Sequence, residues 1–299
     1  MNVLEIKNLR KSFGSKDVLR GLDLSVSEHS IYGFVGINGA GKTTTMKAIL
    51  GLLKVDKGEI YVCGEPVSFG QTATNKYIGY LPDVPEFYSF LTAREYLKLC
   101  GESLGMTKSD INKRTEELLS LVGLSNEKGK IRGYSRGMKQ RLGIAQALLS
   151  RPKLLICDEP TSALDPIGRK EILDLILSVK DQTTVLFSSH ILSDVERICT
   201  DVAFLNNGII SLTGKIEDLM KNNCNESFTI ELYDKNSSEQ IVSAFKSATK
   251  IENNGVKIIG GEKEIYLLLD YLKEKNISFK KIERSRASLE SLFMEVVKK

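Results

Sequence analysis

The chain has 299 residues, enough for one large domain or two unequal ones. Of these residues 41% are hydrophobic and 27% charged, as in ordinary globular proteins. Its net charge of +4 is spread along the chain, so we expect no nucleic-acid partner. No apolar run approaches the roughly 18 residues that span a bilayer, and the amino terminus lacks a signal-peptide pattern, which predicts a cytosolic chain. Five cysteines without a C-x-x-C pair argue against a disulfide framework and a zinc site.

Short apolar runs alternate with helical patterns in the first part of the chain, which predicts an α/β domain. Strands are expected at residues 3–9, 22–26 and 31–35, and a helix at residues 44–53. Between the third strand and this helix lies Gly36-Ile37-Asn38-Gly39-Ala40-Gly41-Lys42-Thr43, which fits the phosphate-binding pattern G-x-x-x-x-G-K-S/T.

The chemistry of this loop depends on its backbone. Glycines let consecutive N–H groups turn towards phosphate oxygens, and the following helix points its positive end at the same anion. Lys42 is expected to reach the β- and γ-phosphates, and the Thr43 hydroxyl to ligate Mg²⁺. The alternative is a glycine-rich turn in an unrelated protein. The predicted phosphate-binding residues are Gly36, Asn38, Gly39, Ala40, Gly41, Lys42, Thr43 and Thr44.

Further along the chain, residues 77–81 are predicted as a strand, and Thr92 and Glu95 form a capping-box signature that starts a helix. From there to residue 150 the pattern is mostly helical. Continuous apolar or β-branched runs at residues 154–157 and 183–187 are typical of buried parallel strands.

Two acidic residues follow the first of these runs. Asp158 is expected at the carboxyl end of a buried parallel strand, where ligands bind in open α/β sheets. There it can hold Mg²⁺ through water, and Glu159 can polarise an attacking water as a general base. The alternative is a strand that ends in a solvated acidic turn.

A second anion-binding helix start is predicted at Tyr134-Ser135-Arg136-Gly137-Met138-Lys139-Gln140-Arg141. Ser135 and the first N–H groups of the helix would bind the anion. Either both helix starts face one nucleotide, or the second serves a neighbouring subunit.

Together these segments resemble the nucleotide-binding subunits of ATP-binding-cassette (ABC) transporters, over about residues 1–220. The resemblance is specific because the motifs stand in the order of the family. Residues 36–43 match Walker A, 134–138 the LSGGQ signature, 154–159 Walker B and 162–165 the D-loop, while His190 matches the switch histidine and Phe13 the aromatic residue that stacks on adenine.

The resemblance implies an ATPase with ATP and Mg²⁺ as cofactors. It makes Glu159 and His190 catalytic and lets Ser135 and Gly137 contact the γ-phosphate of a nucleotide held by a partner. It further implies a homodimer or pseudo-dimer with two composite sites. A separate polytopic membrane permease subunit would dock around residues 83–96, which makes the chain a peripheral protein at the cytoplasmic face of the cell membrane.

The chain departs from the commonest family pattern at several positions. Tyr134, Arg136 and Met138 replace the Leu, first Gly and Gln of the signature. The form Y-S-K/R-G-M-K-Q-R is similar to that of a branch of bacterial exporter ATPases, the ABC-2-type branch for drugs, antibiotic peptides or polysaccharides. Asp83 occupies the usual position of the Q-loop glutamine, where an acid can ligate Mg²⁺ or its water. The expected metal ligands are therefore Thr43, Asp83 and Asp158.

Polar residues at 221–227 predict a linker, beyond which strands are expected at 228–232, 256–259 and 277–282 and helices at 238–248, 265–274 and 288–297. The predicted fold is an α/β P-loop ATPase core at residues 1–220, with an inserted helical subdomain at about 85–150, followed by a small α+β accessory domain at residues 225–299. The accessory domain carries no phosphate or metal motif, so its expected role is dimer stabilisation or regulation.

Two other functions use the same core. One is a soluble ABC ATPase that acts on ribosomes or DNA, but ribosome-directed members usually carry two cassettes and DNA-repair members carry long coiled coils. The other is a regulatory nucleotide-binding module with little turnover, against which Glu159 and His190 argue. We expect ATP hydrolysis that powers transport, with export implied by the branch.

Overall fold

The computed structural model describes residues 2–71, 73–222, 227–285 and 288–298, and the chain divides into two compact units. Met1–Ile216 forms the body of the first unit, and Glu217–Glu295 forms the second. The predicted linker falls largely on residues 223–226, which lie outside the described residues. In the described ranges, no helix combines the length and the apolar character needed to cross a membrane.

The first unit alternates strands and helices along the chain. Its strands are β1 (Asn2–Phe13), β2 (Lys16–Ser27), β3 (Ile31–Val35), β4 (Lys57–Val62), β5 (Glu65–Pro66), β6 (Ile78–Leu81), β7 (Leu154–Asp158), β8 (Thr184–Ser189), β9 (Asp201–Asn206) and β10 (Ile209–Lys215). Its helices are α1 (Lys42–Ile49), α2 (Ala93–Ser103), α3 (Lys108–Leu121), α4 (Arg136–Ala147), α5 (Pro166–Ser178) and α6 (Leu192–Ile198), and α7 (Ile216–Asn222) follows at its boundary.

A six-stranded sheet carries the centre of this unit, in the order β10-β9-β3-β8-β7-β6. The strands from β9 to β6 run parallel, and β10 pairs antiparallel at one edge. Every residue of β3, β7 and β8 is buried. This is the arrangement that continuous apolar runs predict for parallel strands covered on both faces.

A second sheet of the unit has the order β2-β1-β4-β5 and is antiparallel. Strands β1 and β2 extend well beyond the predicted residues 3–9 and 22–26. Alternate apolar residues of β1, β2 and β4 enter the same hydrophobic core as residues of β3, α1 and β7. The side-chain alternation of the strands thus packs this sheet against the helix that follows the phosphate-binding loop.

The helix after the phosphate-binding loop is shorter than predicted. It ends at Ile49, not at residue 53, because Gly51 adopts a left-handed conformation with φ of 69°. The predicted capping box of α2 is present: the Thr92 side chain accepts from the N–H of Glu95, whose carboxylate accepts from the N–H of Thr92. The helical region of residues 92–150 consists of α2, α3 and α4 with loops between them.

The second unit has the strand and helix order of a split βαβ fold. It comprises β11 (Ser227–Leu232), α8 (Lys235–Ala244), β12 (Ala248–Ile251), β13 (Gly255–Ile259), α9 (Glu262–Glu274), β14 (Phe279–Ser285) and most of α10 (Leu289–Lys298). Its antiparallel sheet has the order β12-β13-β11-β14, which is the ferredoxin-like arrangement.

The prediction of a helix at residues 238–248 was wrong at its carboxyl end. The helix α8 stops at Ala244, and residues 248–251 form the edge strand β12 paired with β13. Phe245 leaves the helix in an extended conformation and packs against the core of this unit. Burial of that aromatic side chain outweighs one further turn of helix.

Candidate nucleotide-binding site

The loops at the carboxyl ends of four neighbouring strands converge in the first unit. The phosphate-binding loop follows β3, His190 follows β8, Glu159 follows β7, and Asp83 lies two residues beyond β6. Since β3, β8, β7 and β6 are adjacent and parallel, these segments meet at one edge of the sheet. Strand order therefore assembles residues that lie far apart in sequence.

The phosphate-binding loop leaves the first turn of α1 open. Gly41 caps this helix with φ of 115°, a conformation that residues with a Cβ rarely adopt. A Cβ at Gly41 would also lie 2.8 Å from Leu19 Cδ2. Because glycine has no side chain to cap the helix, its first N–H groups remain available to an anion.

Lys42 is buried at the start of α1, with its ammonium group directed back into the loop. Its Nζ donates to the carbonyl oxygen of Gly36 at 2.5 Å and lies 3.5 Å from that of Ile37. The same Nζ lies 3.2 Å from Oε1 of Glu159. A buried cation with carbonyl and carboxylate partners can exchange these contacts for phosphate oxygens.

Asp158 is a buried acid at the end of β7. Its two carboxylate oxygens accept hydrogen bonds from Thr43 Oγ1 at 3.0 Å and from Ser188 Oγ at 3.2 Å. Burial raises the pKa of Asp158, the charges of Glu159 and Asp83 raise it further, and the two hydroxyl groups oppose the shift. A hydroxyl and a carboxylate are oxygen donors of the kind that Mg²⁺ prefers, so Thr43 and Asp158 fit that ion.

Glu159 and His190 form a hydrogen-bonded pair. His190 Nδ1 lies 2.8 Å from Oε2 of Glu159, and the backbone N–H of His190 donates to the same oxygen at 3.3 Å. A carboxylate only accepts, so Nδ1 carries the proton and Nε2 is left as an acceptor in the neutral ring. Among the described atoms, Oε1 of Glu159 has no hydrogen bond although Lys42 lies nearby.

The backbone of Glu159 has φ of 48°, unusual for a residue with a side chain. Hydrogen bonds hold it on both sides: its N–H donates to Ser188 O at 3.1 Å, and its carbonyl accepts from Ser162 N at 3.1 Å. Sparsely populated backbone conformations cluster at functional sites, where surrounding contacts maintain them. Here the contacts direct the carboxylate towards Lys42.

A cleft of about 590 Å³ lies beside these groups. Phe13 lies in its wall, half-exposed, with Lys11 Nζ 5.2 Å from the ring centroid. Gly36 and Ala40 are buried and do not line the cleft, and His190 contacts the lining residue Glu159. The lining residues are Phe13, Lys16, Val18, Asn38, Gly39, Gly41, Lys42, Thr43, Thr44, Asp83, Asp158 and Glu159.

Ser135 and Gly137 stand apart from this cleft: among the described residues that line it, neither is present. Ser135 caps α4, because its Oγ accepts from the N–H of Met138 at 3.2 Å. Gly137 occupies the first turn of the same helix, where backbone N–H groups have no acceptor within the helix. The arrangement in which the second helix start serves another subunit therefore stays a prediction.

Asp83 reaches the cleft, but its carboxylate is engaged by other side chains. Its Oδ1 accepts a hydrogen bond from Ser162 Oγ and lies 3.8 Å from Arg136 Nη2. As a metal ligand it would have to share or release these partners. Its role as a ligand therefore stays a prediction, as do those of Thr43 and Asp158.

Sequence reasoning missed Ser188, Lys16, Val18 and Gln140. Ser188 lies near the end of β8, so the strand-end argument that found Asp158 applies to it equally. Lys16 and Val18 belong to β2, whose predicted start at residue 22 was too late. Gln140 contacts two loops that are distant in sequence, and no local pattern marks such a residue.

The sequence pattern of the ABC transporter family matches residues 19–162. The uncharacterized ABC transporter ATP-binding protein YxlF of Bacillus subtilis (strain 168) is 37% identical over 300 residues, covering 99% of each chain. The bacitracin transport ATP-binding protein BcrA of Bacillus licheniformis is 36% identical, covering 99% of this chain and 97% of its own.

Solved structures with the same fold include an ATP-binding subunit of an ABC transporter, with a TM-score of 0.67 and 31% sequence identity. The match covers 74% of this chain and 92% of the chain of that structure. A dimeric ATP-binding cassette, MJ0796, in a post-hydrolysis state with ADP and Pi, has a TM-score of 0.64 and 25% identity over 71% and 98% of the two chains. The P-loop fold, the cleft beside the phosphate-binding loop and relatives matched over 97–99% of their length agree: the chain belongs to the ATP-binding proteins of ABC transporters, the subunits that bind and hydrolyse ATP for transport.

Proposed function

We propose that this chain binds ATP with Mg²⁺ in the cleft beside Lys42 and hydrolyses it with Glu159 as general base. The working form is a dimer, and each dimer drives a separate polytopic membrane permease from the cytoplasmic face of the membrane. The direction of transport is export. One observation carries the catalytic part: beside the phosphate-binding loop, Oε1 of Glu159 forms an ion pair with the Lys42 ammonium at 3.2 Å and accepts no hydrogen bond among the described atoms.

The cleft supports assignments for each part of the nucleotide. Phe13 is exposed enough to stack on adenine, and the N–H groups from Asn38 to Thr44 surround the phosphates. Lys42 exchanges its carbonyl partners for phosphate oxygens. Thr43 and Asp158 would hold Mg²⁺, with Asp83 as a third candidate, and the ion would neutralise phosphate charge when bound.

In the hydrolytic step the oxygen of a water bonds to the γ-phosphorus, the bond between that phosphorus and the bridging oxygen of ADP breaks so that ADP leaves, and the water gives a proton to Glu159. Oε1 is buried against Lys42 Nζ at 3.2 Å, so Lys42 has to move to the phosphate oxygens before a water can donate to this oxygen while its own oxygen faces the γ-phosphate. His190 holds Oε2 through Nδ1–H, which fixes the orientation of the carboxylate. The other ring nitrogen, Nε2, can donate to a γ-phosphate oxygen only when the ring of His190 carries both protons.

The second helix start supports the proposed dimer. Ser135 and Gly137 present an anion-binding geometry that the nucleotide of their own chain does not use, so a second copy or a related chain supplies the phosphate. The dimeric cassette MJ0796 bound to ADP and Pi supports this arrangement. Each composite site then combines Lys42 of one chain with the signature residues of the other.

Transport as the function, and the class of cargo, are supported by the relatives, whereas the direction of transport rests on the exporter branch that the signature resembles. BcrA is a bacitracin transport protein, and SrtF of Streptococcus pyogenes, 40% identical over 70% of this chain, is a lantibiotic transport protein. Both are ATP-binding proteins of transport systems for antibiotic peptides. The relatives favour transport over action on ribosomes or DNA, and peptide antibiotics are the proposed class of cargo.

Glu159→Gln tests the catalytic assignment. The amide keeps the shape of the side chain and removes the base, so the rate of ATP hydrolysis should fall about 10²- to 10⁴-fold while ATP binding remains. Single-turnover hydrolysis and equilibrium ATP binding measure the two quantities. Glu196→Gln, on the exposed face of α6, is the matched control and should hydrolyse ATP at the parent rate. A Glu159→Gln protein with parental turnover would refute the assignment.

A further inference from the structure

Three segments meet beside the cleft at the amino-terminal end of α4. They are the residue Asp83 beyond β6, the loop after Glu159, and the first two turns of α4. Arg136 and Gln140 stand one turn apart on the same face of α4, because residues i and i+4 of a helix are neighbours. Both contact Asp83: Arg136 Nη2 lies 3.8 Å from its Oδ1, and Gln140 Nε2 donates to its carbonyl oxygen at 3.2 Å.

Gln140 joins two of these segments directly. Its side-chain amide also donates to the carbonyl oxygen of Pro160 at 3.1 Å, so one amide bonds the backbone beyond β6 and the backbone after Glu159. Gln140 is buried, and its Oε1 has no hydrogen bond among the described atoms. A buried acceptor without a hydrogen bond costs free energy of folding, so glutamine at this position stabilises the fold less than an apolar side chain of similar volume would.

The Asp83 carboxylate completes the connection. It accepts from Ser162 Oγ, and the N–H of Ser162 donates to the carbonyl oxygen of Glu159 at 3.1 Å. A short path of contacts therefore runs from Arg136 through Asp83 and Ser162 to the backbone of the proposed base. We call Asp83, Arg136, Gln140 and Ser162 the junction.

Further along the same face, α4 lies very close to the segment that carries Asp83. Gly143 lies one turn beyond Gln140, and a Cβ there would lie 2.6 Å from Leu81 Cδ1 and 3.3 Å from Pro85 Cβ. These two residues flank Asp83 in sequence. The absence of a side chain at Gly143 lets the helix lie directly on the segment that carries Asp83.

We propose that Arg136 and Gln140 are positioning residues: they fix the start of α4, and with it Ser135 and Gly137, relative to Asp83 and the loop after Glu159. The proposal rests on the proposed function, in which Ser135 and Gly137 act on the nucleotide of a partner. The junction then couples the geometry of a chain's own cleft to the signature residues it offers across the dimer. Loss of the junction lowers turnover and leaves ATP binding to the chain's own cleft intact.

The buried bridge is tested with Gln140→Met, which keeps the volume and removes the amide. Two carbonyl groups lose their donor, so kcat at saturating ATP and Mg²⁺ should fall about fivefold to a hundredfold. The affinity for a non-hydrolysable ATP analogue, measured by calorimetry, should stay within about twofold. Gln146→Met is the matched control, since Gln146 lies on the same helix and its amide accepts only from Tyr96 in the described contacts. Parental kcat in Gln140→Met, or an equal loss in both variants, would overturn the proposal.

The charged contact is tested by rescue. Arg136→Glu places a like charge against Asp83 and should lower kcat, whereas adding Asp83→Asn to it relieves the repulsion and should restore kcat about two- to fivefold. Lys139→Ala controls for the loss of a positive charge from the same helix. If Asp83 acts only as a metal ligand, Asp83→Asn will raise the Mg²⁺ requirement and worsen Arg136→Glu, which contradicts the junction.

Ser135→Arg separates failure of the junction from failure of the proposed function. If composite sites operate, this variant loses turnover, and the outcome for Gln140→Met and Arg136→Glu then decides the junction alone. If Ser135→Arg hydrolyses ATP at the parent rate, the signature residues have no role in turnover, and both the composite site and the junction proposal are wrong.

Discussion

The first unit buries charged and polar side chains at the carboxyl ends of its parallel strands, whereas the second unit has a core of aliphatic and aromatic residues. Lys42, Asp158 and Gln140 are buried in the first unit. Among the described residues of the second, Ser227 and Ser238 are the buried polar ones, and Phe228 and Ile230 typify its core. Burying a charge costs free energy unless partners compensate, so the first unit gives up stability at the place where it does chemistry.

The two sheets explain where such residues are tolerated. Parallel strands end together at one edge, and their loops gather polar groups that bond one another, as Thr43, Asp158 and Ser188 do. The antiparallel sheet of the second unit connects neighbouring strands β12 and β13 by a short turn and has no common carboxyl edge. The difference predicts that the second unit responds to core mutations in stability alone.

Phe228→Ala should have the largest effect on stability. Phe228 is fully buried in β11, and removing its ring leaves a cavity in the core of the second unit. We expect a loss of about 3–5 kcal/mol in the unfolding free energy of that unit, measured by urea denaturation. Tyr266→Ala, at a residue that is 64% exposed, should change it by less than about 0.5 kcal/mol. Loss of ATP binding by a folded Phe228→Ala protein would break the division of roles between the units.

How much of each unit the sequence predicts differs for a physical reason. In the first unit a loop motif dictates local backbone chemistry, so Gly41, Lys42 and Thr43 were predicted together with their relation to a strand and a helix. Asp158 was predicted because a buried strand that ends in an acid is itself a local pattern. The contacts of Gln140 depend on which segments the tertiary fold brings together, and no periodicity encodes them.

Element ends were the least predictable feature in both units. The α/β class, the capping box of α2 and the alternating strand β11 follow from periodicity and capping chemistry. The carboxyl end of α8 does not, because Phe245 leaves that helix to make a core contact where helical propensity alone would continue it. At the end of α1, Gly51 is a stop signal that the sequence contains and that the prediction of a helix to residue 53 overlooked.

Asp158→Asn should have a smaller and opposite effect on stability. Burial raises the pKa of Asp158 in the folded protein above its ordinary value of 3.8, so the folded state favours the neutral acid. The stability contributed by this group is complete below the ordinary pKa and is lost as pH rises through the raised pKa. At pH 7 the ionised group therefore destabilises the fold, and the amide should stabilise it by about 1 kcal/mol.

The pH profile distinguishes this cause from a general gain in packing. Denaturation midpoints measured from pH 7 downwards should show the advantage of Asp158→Asn shrinking on acidification and disappearing below the ordinary pKa of 3.8. The Asp158→Asn variant should also have a lower ATPase activity than the parent, because its proposed Mg²⁺ site lacks the carboxylate. Asp181→Asn, at an exposed position, should show neither change. An advantage independent of pH would assign the effect to packing.

Truncation after Asn223 should have the smallest effect on nucleotide affinity. Every described residue that lines the cleft lies between Phe13 and Glu159, and the core that supports them is drawn from residues 3–210. The second unit holds its own separate core, so its removal deletes no contact to ATP. Calorimetry should give an ATP affinity within about twofold of that of the full chain.

Basal hydrolysis by the truncated chain should survive at high protein concentration, where association no longer depends on the accessory unit, and its dimerisation should weaken on dilution. Lys42→Ala in the truncated chain is the control and should abolish binding. A folded, truncated protein that fails to bind ATP would show that the apolar unit contributes to the nucleotide site, and the contrast between the units would not hold.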